Sequence, residues 1–145
     1  MRISPSVWLV VGFAMLAGAY STVRAQQPKS VLEGIYTQAQ ATRGEKVYSE
    51  NCAVCHGPKL AGTDTAGPTL SGPDFTNGWK DMSAGALLSK ISMDMPSNAP
   101  GTLMPDQYAD VMSFVLSVNK YPAGQADLPT DPNALKAVKM AAPKP

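Results

Sequence analysis

The most constraining feature of this chain is where its cysteines and its histidine lie. The sequence has 145 residues with two cysteines and one histidine, and all three fall within the run CAVCH at positions 52–56. This spacing is that of a c-type haem attachment site, in which the two thiols form thioethers to the macrocycle and the histidine binds the iron. We therefore predict one covalent haem, attached through Cys52 and Cys55, with His56 as the proximal ligand.

Other uses of this run, which we call the haem motif, fit the sequence less well. A structural zinc site needs about four protein ligands, and the chain has no further cysteine or histidine to complete such a set. A dithiol oxidoreductase needs a strand leading into its Cys-x-x-Cys pair, whereas the residues upstream here are helical and polar. A disulfide between cysteines three residues apart would be strained. Haem attachment is the favoured interpretation.

The N-terminus has the pattern of a secretory signal. Arg2 precedes an apolar run at 7–20, and Val23-Arg24-Ala25 offers small residues at a cleavage site. The apolar run is shorter than the roughly 20 residues that a membrane helix needs. We predict a signal peptide over residues 1–25, a periplasmic location, and no membrane span after cleavage.

Removing that signal leaves 120 of the 145 residues, enough for one small domain. We divide them into an N-terminal extension (26–40), a haem domain (41–122), and a C-terminal extension with a flexible tail (123–145). From Met140 onward the composition favours disorder. Haem would be a large part of the core of so small a domain, so cofactor and fold are expected to be coupled.

The charge pattern argues against one class of partner. Once the signal is removed, ten Lys and Arg residues stand against 11 Asp and Glu residues, and the lysines are scattered along the chain. Nucleic-acid binding calls for basic residues clustered on one face. We expect no nucleic-acid partner.

A helix is predicted to lead into the haem motif. Five residues recur at steps of three and four and so share one stripe of a helix: Ala41, Gly44, Tyr48, Cys52 and Cys55. Glycine inside a helix costs about 1 kcal/mol relative to alanine. Gly44 is therefore expected where another helix approaches closely, the alternative being a glycine tolerated at the surface.

Two more helices are expected further along. Residues 105–120 are the predicted partner helix, since they begin with a proline and carry apolar residues at helical steps. Met104 lacks a capping oxygen, which should weaken that start by about 1 kcal/mol. A shorter helix is predicted over 84–91, capped by Ser83. Residues 57–78 are rich in Gly, Pro, Thr, Asp and Asn, and we interpret them as a loop wrapped around the haem.

The function depends on what binds the iron opposite His56. An open site favours ligand binding or peroxide chemistry, whereas a second strong ligand favours electron transfer. Without a second histidine, the candidates are the thioethers of Met82, Met93, Met95, Met104 and Met112. Met95 ranks first because Pro96 and the turn beyond it place this residue in extended chain. Met93 would lie on the same side of that segment and is the main rival, ahead of Met104.

The proximal imidazole also needs its second ring nitrogen held in place. A backbone carbonyl near Pro68 is expected to accept the proton of that nitrogen and so fix the orientation of the ring. With His56 and Met95 as ligands, both axial sites are filled and the thioether raises the reduction potential. Such a ligand set is typical of a one-electron carrier.

Together these residues resemble the class I cytochrome c family. The shared features are the Gly44-x-x-x-Tyr48 helix, the CAVCHG run, the GPTL run at 67–70, a Met-Pro pair and a closing helix with an aromatic residue. The resemblance implies a small all-α fold of about three to five helices around one haem. It also implies His56 and Met95 as iron ligands, a Pro68 carbonyl bonded to His56, and Trp79 near a haem propionate.

More narrowly, residues 31–44 and 100–124 look like cytochromes associated with pyrroloquinoline-quinone alcohol dehydrogenases. That resemblance implies a carrier, not itself an enzyme, which accepts electrons from a quinoprotein or similar dehydrogenase and passes them to a respiratory oxidase or another carrier. One alternative is a fixed cytochrome subunit of a dehydrogenase complex, with 31–40 and 126–140 as docking arms. The other is a haem peroxidase or gas sensor with an open distal site, although the mature chain has no arginine besides Arg43.

Overall fold

The computed structural model describes residues 28–64 and 66–143, and this part of the chain is helical. Within it there are five α-helices, two short 3-10 helices and no strand. The α-helices are α1 (Gln38–Asn51), α2 (Ala53–His56), α3 (Gly72–Trp79), α4 (Ala84–Asp94) and α5 (Pro105–Val118), and the 3-10 helices cover Val31–Glu33 and Pro132–Leu135. The predicted all-α fold class is confirmed.

The predicted signal peptide lies outside the described residues. Among the helices that the structure describes, none is long and apolar enough to cross a membrane. Helix α1 begins at Gln38, ahead of the predicted start of the haem domain at residue 41. The division into extensions and a haem domain stays a prediction.

Helices α1 and α5 pack directly against each other. A Cβ atom on Gly44 would lie 1.8 Å from the backbone oxygen of Asp110, so only glycine allows this approach. Next along α1, the rings of Tyr48 and Phe114 lie 5.3 Å apart in a tilted arrangement, a favourable geometry for an aromatic pair. The close helix approach predicted at Gly44 is confirmed.

The helix boundaries differ from the predictions in two places. Helix α4 is capped by Ser83, whose hydroxyl accepts the Ala86 N–H at 3.0 Å, but it runs to Asp94 and not only to residue 91. Residues 72–79 form α3, although the predicted loop extended to residue 78. That helix begins with a proline in its first turn and buries Phe75, so packing outweighs the weak helix propensity of its glycines and asparagine.

Helix α5 starts at Pro105 as predicted and ends at Val118. Met104, the N-cap residue just before this helix, offers no capping oxygen. Instead, the side-chain oxygen of Gln107 accepts the Met104 N–H at 2.9 Å. A residue inside the first turn therefore reaches back to the helix start, which offsets part of the expected weakness.

The two ends of the described chain pack together. We call residues 28–37 and 121–143 the terminal clasp. The Val31 N–H donates to the Lys139 carbonyl at 3.0 Å, and the Met140 N–H donates to the Met82 carbonyl at 2.8 Å. Met140 is 1% exposed. The prediction of disorder from Met140 onward is wrong for this residue, because its side chain completes a core to which the termini contribute.

Polar contacts fasten the terminal clasp to α1 and α5. Arg43 makes two hydrogen bonds to Asp110, each 3.0 Å, and a third to Asp127 at 2.9 Å. Thr37 also donates to Asp127. Hydrogen bonds from Thr37 and then Arg43 lower the pKa of Asp127. The Gln40 side chain exchanges two hydrogen bonds with the Leu128 backbone, at 3.2 and 2.7 Å.

Candidate haem site

The haem motif forms the corner between α1 and α2. Cys52 separates the two helices, and its carbonyl accepts the N–H groups of Cys55 at 3.1 Å and His56 at 3.0 Å. Both thiols are free and half-buried. Val54 between them is 82% exposed, whereas His56 is only 7% exposed. The short helix α2 thus leaves the thiols partly accessible and turns the imidazole inward.

Burial governs the chemistry of two groups beside the motif. Burial, with a smaller effect from Cys55, raises the pKa of Cys52 to about 11, so the unmodified thiol is protonated at neutral pH. Burial likewise raises the pKa of Tyr48 to about 12. The neutral Tyr48 hydroxyl donates to the Gly57 carbonyl at 2.6 Å. This bond ties the residue after the motif back to α1.

The orientation of His56 is set by one hydrogen bond. Its Nδ1 lies 2.8 Å from the carbonyl oxygen of Pro68. Because a carbonyl can only accept, Nδ1 carries the proton and Nε2 keeps its lone pair for a metal. Gly67 makes this approach possible, since a Cβ there would lie 2.9 Å from the Cys55 oxygen and 3.0 Å from Nδ1. The hydrogen bond expected at Pro68 is present, while iron ligation by His56 stays a prediction.

The loop that presents Pro68 is fastened to α2. The Gly62 N–H donates to the His56 carbonyl at 2.8 Å, and the Thr63 hydroxyl donates to the Cys55 carbonyl at 2.9 Å. Further along, the Leu70 N–H donates to the carbonyl of buried Leu60 at 2.7 Å. The position of the Pro68 carbonyl is therefore fixed by backbone contacts with the motif that it serves.

Met95 comes directly after α4. Its backbone is extended, with φ −121° and ψ 151°, and its N–H donates to the Ile91 carbonyl at 3.1 Å. The residue is half-buried. Met93 does not share this extended segment as predicted, because α4 continues to Asp94 and keeps Met93 in its last turn. The identity of the iron ligand stays a prediction.

The other methionines lie in different surroundings. Met93 is 71% exposed and Met104 is 64% exposed, while Met82 is exposed to a lesser extent. Met112 is fully buried on α5 within the core. An exposed thioether must be ordered before it can bind a metal, which costs conformational entropy. Met95 alone among the five combines partial burial with an extended backbone just after a helix.

These residues fit a covalently held haem. Two free thiols lie three residues apart on a partly accessible corner, an imidazole beside them has Nε2 available, and a half-buried thioether follows α4. Thiols for attachment, together with nitrogen and sulfur as axial donors, are the donor set of a c-type haem. Within the described part of the chain, no group of three or more His, Cys, Asp and Glu residues is arranged to hold a metal ion.

Known proteins are similar to this chain in sequence. A family model described as cytochrome C oxidase, cbb3-type, subunit III matches residues 39–115. Cytochrome c-551 of Bacillus subtilis (strain 168) is 32% identical over 116 residues, which cover 77% of this chain and 94% of that protein. The chain belongs to the c-type cytochromes. As a member of that family, this cytochrome carries one covalent haem c and transfers electrons, and it is not itself an enzyme.

A solved structure is also similar to the cytochrome. A chain in the crystal structure of the sulfane dehydrogenase SoxCD from Paracoccus pantotrophus matches it with a TM-score of 0.48 and 18% identity. The match covers 83% of this chain and 68% of that one.

Trp79, expected near a haem propionate, is the last residue of α3. It is half-buried and packs against the core, and its carbonyl accepts the Met82 N–H at 3.1 Å. These contacts place the indole at the junction of α3 with the segment that leads to α4. Its position relative to a propionate stays a prediction.

One residue beside the candidate ligands was missed in the sequence of the cytochrome. The helical pattern of residues 105–120 presents Tyr108 only as one residue of the apolar face, yet its hydroxyl donates to the Met95 carbonyl at 2.9 Å. The residue type itself was a clue to this hydrogen bond. A tyrosine on a buried helical stripe, where phenylalanine or leucine would fill the same space, usually has a hydrogen-bond partner for its hydroxyl.

Proposed function

We propose that the cytochrome is a periplasmic one-electron carrier whose single haem iron is bound by His56 and Met95. The observation that carries this proposal is the 2.8 Å hydrogen bond from His56 Nδ1 to the Pro68 carbonyl. It leaves Nε2 of this buried imidazole with a lone pair that can bind iron. When bound, the haem supplies an iron that takes up and releases one electron. The protein's part is to hold the two axial donors in place.

Each residue of the site has a stated task in this proposal. Cys52 and Cys55 would hold the macrocycle at the α1–α2 corner, and the loop over residues 57–70 holds the imidazole through Pro68. Met95 would supply the second iron ligand. Because the thioether favours the ferrous state, this residue raises the reduction potential and closes the iron to exogenous ligands.

Met95 is preferred to Met93 and Met104 for physical reasons. Its backbone N–H is bonded to Ile91 and its carbonyl to Tyr108, so the main chain is held on both sides of the thioether. Met93 and Met104 are mostly exposed. Ordering either side chain toward the iron would cost more rotamer entropy than ordering one that is already half-buried.

The partners follow from the resemblance and the family together. We propose that electrons arrive from a quinoprotein or similar dehydrogenase and leave to a respiratory oxidase or another carrier. A second candidate is a fixed cytochrome subunit of a larger complex, which is favoured by the oxidase-subunit description of the matching family. The periplasmic location rests on the signal pattern in residues 1–25.

The test of the ligand set is spectroscopic. Holoprotein matured in a strain that attaches haem is compared with Met95→Ala and, as a matched control, with Met93→Ala. We expect a low-spin wild type with the weak long-wavelength band of an iron–thioether bond, lost in Met95→Ala together with a gain of carbon monoxide binding. Met93→Ala should retain the band.

Other results would overturn the proposal. A high-spin wild type that already binds carbon monoxide would favour a peroxidase or gas sensor. A band retained in Met95→Ala but lost in Met93→Ala would move the ligand to Met93. For the partners, stoichiometric copurification with a large dehydrogenase or oxidase would favour the fixed subunit over a free carrier.

A further inference from the structure

The Tyr108 hydroxyl makes two hydrogen bonds to one segment of chain. It donates to the Met95 carbonyl at 2.9 Å and accepts the Leu103 N–H at 3.2 Å. Tyr108 is buried near the start of α5. Met95 and Leu103 are the first and last residues of the segment 95–103, which forms all but the last residue of the connection between α4 and α5 and which we call the methionine loop. A single oxygen atom therefore joins both ends of this loop to a helix of the core.

The other hydrogen bonds recorded within the methionine loop are local. The Ala99 N–H donates to the Pro96 carbonyl at 2.8 Å, and the Thr102 hydroxyl donates to the Ala99 carbonyl at 2.8 Å. Each of these bonds closes one turn within the loop and makes no link to α5. The Tyr108 hydroxyl provides a link between the methionine loop and α5 that those turns do not.

We propose that Tyr108 is the positioning residue for the sixth iron ligand, an inference that rests on the proposed function of Met95. Its hydroxyl fixes the Met95 carbonyl and, through Leu103, closes the methionine loop, so the thioether is held in place before it binds the iron. Tyr108 acts through the backbone of Met95. Its effect is on how firmly the thioether stays bound, because the ordering of the loop is completed in advance.

Tyr108→Phe tests this directly, since it removes one oxygen and keeps the buried ring. The matched control is Tyr36→Phe, because Tyr36 is also a buried residue but its hydroxyl donates to the Tyr121 carbonyl within the terminal clasp, at 2.7 Å. Four quantities are measured on the holoproteins: carbon monoxide binding to the ferrous form, the temperature at which the iron–thioether band disappears, the temperature of global unfolding by circular dichroism, and exchange of the Leu103 amide hydrogen by NMR.

We expect Tyr108→Phe to raise the apparent affinity for carbon monoxide about fivefold, because it removes the hydroxyl that bonds both Met95 and Leu103 and so weakens the hold on the thioether. Its band should disappear further below the global unfolding temperature than in the wild type. Exchange of the Leu103 amide hydrogen, followed by NMR, should accelerate by a similar factor. Tyr36→Phe should lower only the global unfolding temperature.

The outcomes separate this inference from the proposed function. If the band is absent from the wild type or survives in Met95→Ala, the proposed ligation is wrong and the role of Tyr108 falls with it. If Met95→Ala behaves as expected but Tyr108→Phe matches Tyr36→Phe in all measurements, the hydroxyl is structural only. In that case the positioning role is wrong while Met95 ligation stands.

Discussion

The two sides of the proposed iron site are built differently. On the His56 side, the haem motif is held by the loop that directly follows it, through contacts from residues 57–70. On the Met95 side, α4 is held by residues from the far end of the chain. The Ala84 N–H donates to the Val138 carbonyl at 2.8 Å, and a Cβ on Gly85 would lie 2.3 Å from the Pro132 carbonyl.

This difference has a consequence for stability. A contiguous segment such as 52–70 forms its contacts at a small loop-closure cost, whereas the start of α4 and residues 132–140 must meet across about 40 residues or more. Contacts that close a longer stretch of chain cost more chain entropy to form, so the element that depends on them opens at lower free energy. We expect the methionine side to open before the histidine side, and the following experiments test that order.

The largest effect is expected where both sides depend on the same helix contact. Gly44→Ala places a Cβ 1.8 Å from the Asp110 oxygen and forces α1, which leads into the haem motif, away from α5, which carries Tyr108. We expect a loss of about 3 kcal/mol in unfolding free energy, at the upper end of overpacking effects. Urea denaturation measures it. Gly78→Ala on α3, where a Cβ meets nothing within 4 Å, is the control and should be neutral or slightly stabilising.

The next effect is expected in the terminal clasp. Leu135→Ala removes a buried side chain from the segment that packs on α4 and should cost about 2–4 kcal/mol. The iron–thioether band should disappear at a lower temperature while the haem stays covalently attached. Leu32→Ala, at a partly exposed position of the same clasp, should change the stability by less than about 0.5 kcal/mol. Equal loss of both axial ligands in Leu135→Ala would contradict the proposed order of opening.

A smaller effect is expected on the histidine side. Gly67→Ala brings a Cβ to 3.0 Å from His56 Nδ1 and 2.9 Å from the Cys55 oxygen. The loop must shift, which should cost about 1–3 kcal/mol and weaken the bond to the Pro68 carbonyl. A less basic imidazole should raise the reduction potential, measured by redox titration. An unchanged potential together with unchanged stability would show that the loop yields freely and does not fix the ring.

The smallest effect concerns pH. Because the pKa of Asp127 is lowered in the folded protein by Thr37 and Arg43, its carboxylate stabilises the fold fully above the unfolded-state value of about 3.9. That contribution is lost as the pH falls through the lowered folded value. Asp127→Asn should therefore lose less stability than the wild type between pH 5 and pH 3, as followed by urea denaturation. Identical losses in the two proteins would remove Asp127 from the acid response of the terminal clasp.

How far the sequence alone reaches is clear from particular residues. The haem motif, the all-helical class, the close helix approach at Gly44 and the Ser83 cap were predictable because each depends on residue type and local spacing. Helix α3 was missed because its glycines and asparagine have poor propensity, and only the burial of Phe75 explains it. Local sequence rules also did not show that α4 continues to Asp94, which keeps Met93 in the helix and out of the extended segment.

The haem motif is enough to identify this protein as a monohaem c-type cytochrome, because Cys52, Cys55 and His56 are its only cysteines and histidine and their spacing fits haem attachment better than any other use. How the candidate ligands are held is visible only in the folded chain. The bonds of the Tyr108 hydroxyl to the methionine loop, and the burial of Met140 with its backbone bonded to Asp81 and Met82, depend on contacts that no local pattern specifies. The type of a side chain limits which bonds a residue can form, but the packing of the folded chain decides which partner lies within bonding distance.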